Sequence, residues 1–342
     1  MSSLRRRLSV LLVVVLSILC TALASAVRSS TLHLARSRSS VSLDAGAPIS
    51  KWAATLSAQS LGRRQTLVVA IDPSNDAAWV PCTGCTGCSS AAPSFSPTQS
   101  STVPRVLEAR ARRSRSTSRT RGPRSRRCSA RTPSRSRTYT FGCLHVITGS
   151  GSYVPPQGLI GLGRGPLSFL SQTKDVYGSV FSCCLPNYKT SNFSGTLRLG
   201  PVGQPKRIKT TPLLYDPHRP SLYYVNMVGI RVRPGERRRR HHHRRRSTPP
   251  CATLGGFDTC YNVTQVSVPT VTLAFAGAVA VTLPEENVMI HSSSGGVACL
   301  AMAAAPADGV NVLASMQQQN HRVLFDVANG RVGFSRELCS VA

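Results

Sequence analysis

The sequence predicts an all-β fold, and three observations carry it. Short runs rich in Val, Thr, Tyr and Leu recur along the chain, Gly, Pro, Asn or Ser separates them, and a helical period shows in one stretch only. The first run, Thr66–Trp79, reads as strand, a polar break at Asp72-Pro73-Ser74-Asn75-Asp76, then strand again. Thr138–Cys143, Gly195–Leu199, Leu222–Val232, Val266–Phe275, Val279–Leu283, Val297–Met302 and Arg322–Phe325 read the same way. The predicted helix is Pro166–Val176, where Leu167, Leu170 and Thr173 fall on one face and Pro166 suits a first turn. Apolar residues form 41% of the chain, enough for real cores. At roughly 150 residues per domain, 342 residues imply about two domains.

The chain opens with Arg5-Arg6-Arg7, a short apolar run over Leu8–Cys20, and the small residues Thr21–Ala26 with A-x-A spacing. That order is a secretory signal peptide over residues 1–26. The apolar run is shorter than the roughly 20 residues of a membrane span. Residues 27–61, rich in Ser, Ala and Arg, read as a mobile, propeptide-like arm. Export implies an oxidising compartment, where cysteines become disulfide candidates. Of 12 cysteines, Cys20 leaves with the signal, so at least one of the rest stays unpaired or bridges to another chain. Cys82, Cys85 and Cys88 lack a second ligand pair at zinc-finger spacing, so no metal is expected. The sequons at Asn192 and Asn262 suit a secreted glycoprotein.

The formal charge of +29 is unevenly placed. Arg105–Arg137 holds 13 arginines and Arg233–Arg246 holds 8, together half of the 42 Lys and Arg residues. Stretches 105–137 and 233–250 bury too little apolar surface to fold alone and are expected to be disordered. Both interrupt an orderly β pattern and have the look of coding sequence read in a shifted frame. Polyanion binding is their functional alternative, but no specific nucleic acid is expected to meet an exported chain.

Several motifs follow one another in a recognisable order. They are Asp72-Pro73-Ser74-Asn75-Asp76-Ala77-Ala78-Trp79-Val80-Pro81-Cys82, Phe141-Gly142-Cys143, Gln157 through Ser168, and Phe181-Ser182-Cys183-Cys184-Leu185. Tyr223-Tyr224-Val225, Cys260-Tyr261, Val268-Pro269, Gln317 through Asp326, Arg331 through Phe334, and Cys339 complete the series. Together they resemble the pepsin-type aspartic proteases, in their plant nepenthesin-like branch. The resemblance implies a two-lobed, all-β pepsin-like acid protease fold, incomplete here. The N-terminal lobe would span 62–205 and the C-terminal lobe 206–342. It implies a secreted, apoplastic, monomeric endopeptidase without cofactor, acting on protein or peptide and free of membrane once the signal is cut. It also suggests the disulfides Cys260–Cys299 and Cys184–Cys339, with Cys183 and Cys128 as candidates for a free thiol.

Such enzymes work with two carboxylates sharing one proton. Like charges so close cannot both ionise; one partner draws a proton from water while the other polarises the scissile carbonyl. Asp72 takes the first catalytic position by resemblance. Around it Pro73 replaces the usual Thr, Ser74 the Gly, and Asn75 the Ser or Thr. The second aspartate should follow Tyr224-Val225 and precede Cys260. That interval holds only Asp258, in the wrong context, and Arg233–Pro250 stands where a longer segment belongs. The flap Tyr expected within 105–137 is also absent. The reading is therefore a family member without peptide hydrolysis, with a non-catalytic extracellular peptide- or protein-binding homologue as the alternative.

Overall fold

The computed structural model describes residues 30–36, 52–58, 65–88, 90, 94–99, 124–131, 138–147, 158–187, 194–233, 252–254, 257–262, 268–292, 296–304 and 310–339. In chain order the strands are β1 (Ser30–Arg36), β2 (Trp52–Ala58), β3 (Gln65–Asp72), β4 (Trp79–Thr86), β5 (Arg124–Arg131), β6 (Thr138–Val146), β7 (Leu159–Gly161), β8 (Val180–Cys184), β9 (Ser194–Leu199) and β10 (Lys209–Pro212). They continue as β11 (Met227–Arg233), β12 (Ala252–Leu254), β13 (Phe257–Tyr261), β14 (Thr270–Phe275), β15 (Val279–Leu283), β16 (Met289–His291), β17 (Ala298–Leu300), β18 (His321–Asp326) and β19 (Arg331–Arg336). Four single-turn helices accompany them: α1 (Phe169–Gln172), α2 (Lys174–Tyr177), α3 (Glu285–Val288) and α4 (Ser315–Gln318). The protein is all-β, as its alternating runs predict.

One large sheet joins the two halves in the order β10-β19-β18-β8-β9-β1-β2-β3-β7-β4-β6-β5. The halves meet where β8 lies against β18, paired from Val180↔Asp326 to Cys184↔Arg322. Every residue of both strands is buried. Phe181 and Phe325 stack across the pair with centroids 4.6 Å apart. The core here mixes Leu162, Leu170, Phe181 and Leu197 of the first half with Val323, Phe325 and Val332 of the second. Burial of this kind contributes roughly 25 cal/mol per Å² of apolar surface, and here it stabilises both halves at once. Disulfide Cys184–Cys339 fastens the chain's end to β8.

A buried cation sits beside that bond. Arg322, 1% exposed, donates through Nε and Nη2 to the Glu337 carboxylate at 2.7 Å each, and further to Ser182 and Thr196 hydroxyls. All its polar atoms on this side are met, which is the condition for burying a charge. The remaining strands form a three-stranded sheet, β11-β14-β15, and a four-stranded one, β12-β13-β17-β16. Disulfide Cys260–Cys299 crosslinks β13 and β17.

Three expectations are corrected. The arm placed over 27–61 contributes β1 and β2, which bridge β9 to β3. The Arg-rich stretch 105–137, expected to be disordered, contains β5, which closes the sheet edge against β6. Both pairings use main-chain groups, which composition does not reveal, and arginine suits an edge strand. The helix expected over Pro166–Val176 is two single turns starting later. Ser168 caps the first through Ser171 N–H, and Thr173, whose hydroxyl donates to the Phe169 carbonyl, breaks the run with φ −111°. The signal segment 1–26, the rest of the Arg-rich stretches, and Asn192 lie outside the described residues. Among the described residues no helix is long and apolar enough to cross a membrane.

Candidate active site

Asp72 is the last residue of β3, held where that strand runs parallel to β7 (Asp72↔Gly161) while β4 returns on the other side of β7. Delivering a carboxylate at a strand end on a tight turn is what the sequence around it requires. The Asp72 carbonyl accepts Leu162 N–H at 2.9 Å, and the Asn75 carbonyl accepts Gly163 N–H at 2.8 Å. The turn therefore lies flat on the β7 segment. No side chain fits between: a Cβ at Gly161 would stand 2.6 Å from the Asp76 carbonyl carbon and 2.8 Å from the Ala77 oxygen.

The Asp72 carboxylate is half-buried. One oxygen accepts Ser74 N–H at 2.8 Å and the Ser74 hydroxyl at 2.6 Å. The other accepts the Asn75 side-chain amide at 3.4 Å. Pro73 brings no N–H of its own. Thus Asp72, Ser74 and Asn75 come together as one local cluster, with Pro73 setting the turn.

No second acid joins it among the described residues. Asp216 accepts His218 N–H, Glu286 meets Asn320, Asp326 is held by Asn329 and Arg331, and Glu337 by Arg322. Asp76 is close in sequence but faces elsewhere: one oxygen accepts Gly165 N–H at 2.8 Å, and the other the Ser221 hydroxyl of the second half. Arg164 extends this tie. Its N–H donates to the Ser221 carbonyl at 3.0 Å, its guanidinium donates to the Leu214 carbonyl at 2.8 Å, and it lies over the Tyr215 ring. Tyr223 donates to the Leu162 carbonyl at 2.6 Å, and burial pushes its phenol well up. Asp76, Arg164 and Ser221 were missed in the sequence. The one signal was a second acid four residues after Asp72, which the structure pairs with the Gly165 N–H.

The cysteine cluster is covalent: Cys82 bonds Cys143 across β4 and β6, and Cys85 bonds Cys88. Among the described residues Cys183 is the free cysteine, buried, its thiol pushed up to about 12 by burial. The Cys128 side chain lies outside the described residues. Among those described, no group of His, Cys, Asp and Glu is arranged to hold a metal ion. Asn262 is exposed just after β13.

A strand-end acid, a flat turn over glycines, and a sheet shared by two halves define a pepsin-like protein. Residues 128–201 match the family described as xylanase inhibitor N-terminal, and residues 237–336 match xylanase inhibitor C-terminal, together just over half the chain. The chain belongs to this pepsin-like plant aspartic protease family. It is 42% identical over 245 residues to Aspartyl protease 25 of Oryza sativa subsp. japonica, covering 59% of this chain and 56% of that protein. To Aspartyl protease AED3 of Arabidopsis thaliana it is 40% identical over 241 residues, covering 59% of this chain and 53% of that one. The chain therefore spans about half the length of the curated relatives it matches. In fold it is similar to the crystal structure of conglutin gamma, a basic 7S globulin from lupine seeds. The TM-score is 0.60 at 16% identity, over 90% of this chain and 95% of that one. Basic 7S globulin from soybean gives the same TM-score, over 91% and 96%.

Proposed function

We propose that this chain is a secreted member of the aspartic protease family that does not hydrolyse peptide bonds. The observation that carries the reading is the Asp72 carboxylate, whose hydrogen bonds all come from Ser74 and Asn75, two neighbours on its own turn. Family chemistry needs a second carboxylate to hold the shared proton and grip the water from the other lobe. The sequence of the second half lacks the expected aspartate between Val225 and Cys260, and among the described residues Asp216, Glu286, Asp326 and Glu337 have other partners. The retained half-site is the peptide-facing turn of a hydrolase without its partner. Export rests on the opening residues 1–26.

The test is incubation of the purified, disulfide-intact chain with a denatured protein at acid pH, with and without pepstatin. No cleavage above the Asp72→Ala chain is expected. Pepstatin-sensitive cleavage that disappears in Asp72→Ala overturns the proposal.

A further inference from the structure

Among the described strands β11 is a sheet edge, and its two faces differ chemically. Among the described residues β11 pairs only with β14. The register sets Ile230 beside Leu273 and Val232 beside Val271. Directly opposite residues share a face, so these two side chains lie on the core face of the sheet. Yet Leu273 and Val271 are 5% and 7% exposed, whereas Ile230 and Val232 are 57% and 59% exposed, and Val228 is 63% exposed. The core face runs on past its cover. On the opposite face Arg231 stands beside Thr272 and Arg233 beside Thr270, both arginines exposed. The outer edge carries main-chain N–H and C=O groups that a further strand would satisfy.

We propose that β11 is a docking edge for an extended acidic segment of a partner protein, which adds a strand with apolar residues on one face and Asp or Glu on the other. The apolar side chains would cover Val228, Ile230 and Val232; the alternate carboxylates would lie beside Arg231 and Arg233. Main-chain bonds supply affinity in this mode and the alternating side chains supply selectivity. A second copy of the chain fits worse. Two β11 strands paired antiparallel about Ile230 would set Arg231 against Gly229 and Arg233 against Met227, leaving the cations without anions. Each copy also carries +29, which repels the other. The chain cannot supply the segment itself, because no two of its 13 acidic residues are spaced i, i+2. β11 belongs to a different sheet from the strand that ends at Asp72, and the proposal does not depend on whether the chain hydrolyses peptides.

The test is fluorescence anisotropy of the full chain with labelled peptides: alternating Val/Glu, the same composition in two blocks, alternating Val/Lys, and alternating Val/Glu with N-methylated backbone. The alternating Val/Glu peptide should bind in preference to the other three. The Arg231→Glu/Arg233→Glu chain should bind it about tenfold more weakly, the size of two reversed cross-strand charge pairs. That variant should gain affinity for the Val/Lys peptide, a swap that misfolding cannot produce. Near-ultraviolet circular dichroism confirms that the variant keeps its fold. Equal binding of alternating and block peptides, or of the N-methylated one, overturns the proposal in favour of diffuse attraction to the arginine runs. Self-association abolished by the double substitution overturns it in favour of a second copy. Binding of anionic vesicles with no preference among peptides overturns it in favour of a membrane surface.

Discussion

The loop at the end of β3 lies in the first half and the strand β11 in the second, and they are finished very differently. At Asp72 the turn is pressed onto Gly161 and Gly163 with no room for a methyl group, and Asp76 ties it to Ser221 of the other half. At β11 the core-side residues Ile230 and Val232 stand in the open. The difference shows where the stability resides. The sheet through β8 and β18 and the disulfide Cys184–Cys339 hold the halves together. Neither depends on a catalytic loop in the second half. The frame that joins the two halves therefore does not rest on the turn that carries Asp72.

Breaking the shared centre should have the largest effect. Phe181 is fully buried against Phe325 and Tyr223. Phe181→Ala should cost about 3–5 kcal/mol, and denaturant unfolding should lower the midpoint of both halves in one transition. Two separate transitions would mean that the halves are independent and that the contrast between them has no common frame. Next comes Gly161→Ala. The new methyl must displace the backbone of residues 75–77, at about 1–3 kcal/mol. Hydrogen exchange should then quicken at the Leu162 and Gly163 amides while those of β14 stay protected. Ser221→Ala follows. It deprives the Asp76 carboxylate of one donor, and a hydrogen bond to a charged group is worth roughly 1.5–3 kcal/mol when buried and less at this half-buried site. A chain as stable as the parent would show that the tie between the halves is incidental.

How much of this was legible follows from what each element uses. β3, β4, β14, β15 and β18 announced themselves through short runs rich in Val, Thr and Leu, and the break at Asp72–Asp76 through its turn residues. The strand-end position of Asp72 was legible for the same reason. β1, β2 and β5 were not, because they are held by main-chain pairing to strand edges and their composition reads as arm or disorder. The single helix became two because Thr173 competes for a backbone carbonyl, a local event that periodicity averages away. Asp76 read as a turn residue, since its partner Ser221 is 145 positions distant in the sequence.

Acidification probes the second half, with a sign fixed by two groups. Glu337 sits below its ordinary 4.5, chiefly because Arg322 donates to it. Its contribution is present above 4.5 and is lost as pH falls through the folded value, where the unfolded chain takes up the proton more readily. His321 is held below its ordinary 6.5, chiefly by burial. Its folded value lies below the unfolded one, so from about 6.5 downward the unfolded chain again binds the proton first and stability falls as pH drops. Tm should thus decline in two stages on acidification. Glu337→Gln should lower Tm at neutral pH and flatten only the lower stage. A Tm that rises on going from pH 7 to pH 4 would contradict both assignments.

The smallest effect belongs to β11, and it is the sharpest test of the contrast. Ile230 and Leu273 face one another in the same ladder, on the same face of the same sheet. Leu273→Ala removes a buried side chain and should cost about 2–5 kcal/mol through lost burial and the cavity left behind. Ile230→Ala removes as many carbon atoms from the surface, where substitutions stay within about 0.5 kcal/mol. Side-by-side urea unfolding reads the difference directly. If Ile230→Ala costs as much as Leu273→Ala, the face is already covered within the free chain, and neither the open edge nor its acidic partner survives. If it costs nothing until the alternating Val/Glu peptide is added, and then lowers the midpoint of the complex alone, the stabilisation missing from the second half is the part a partner strand supplies.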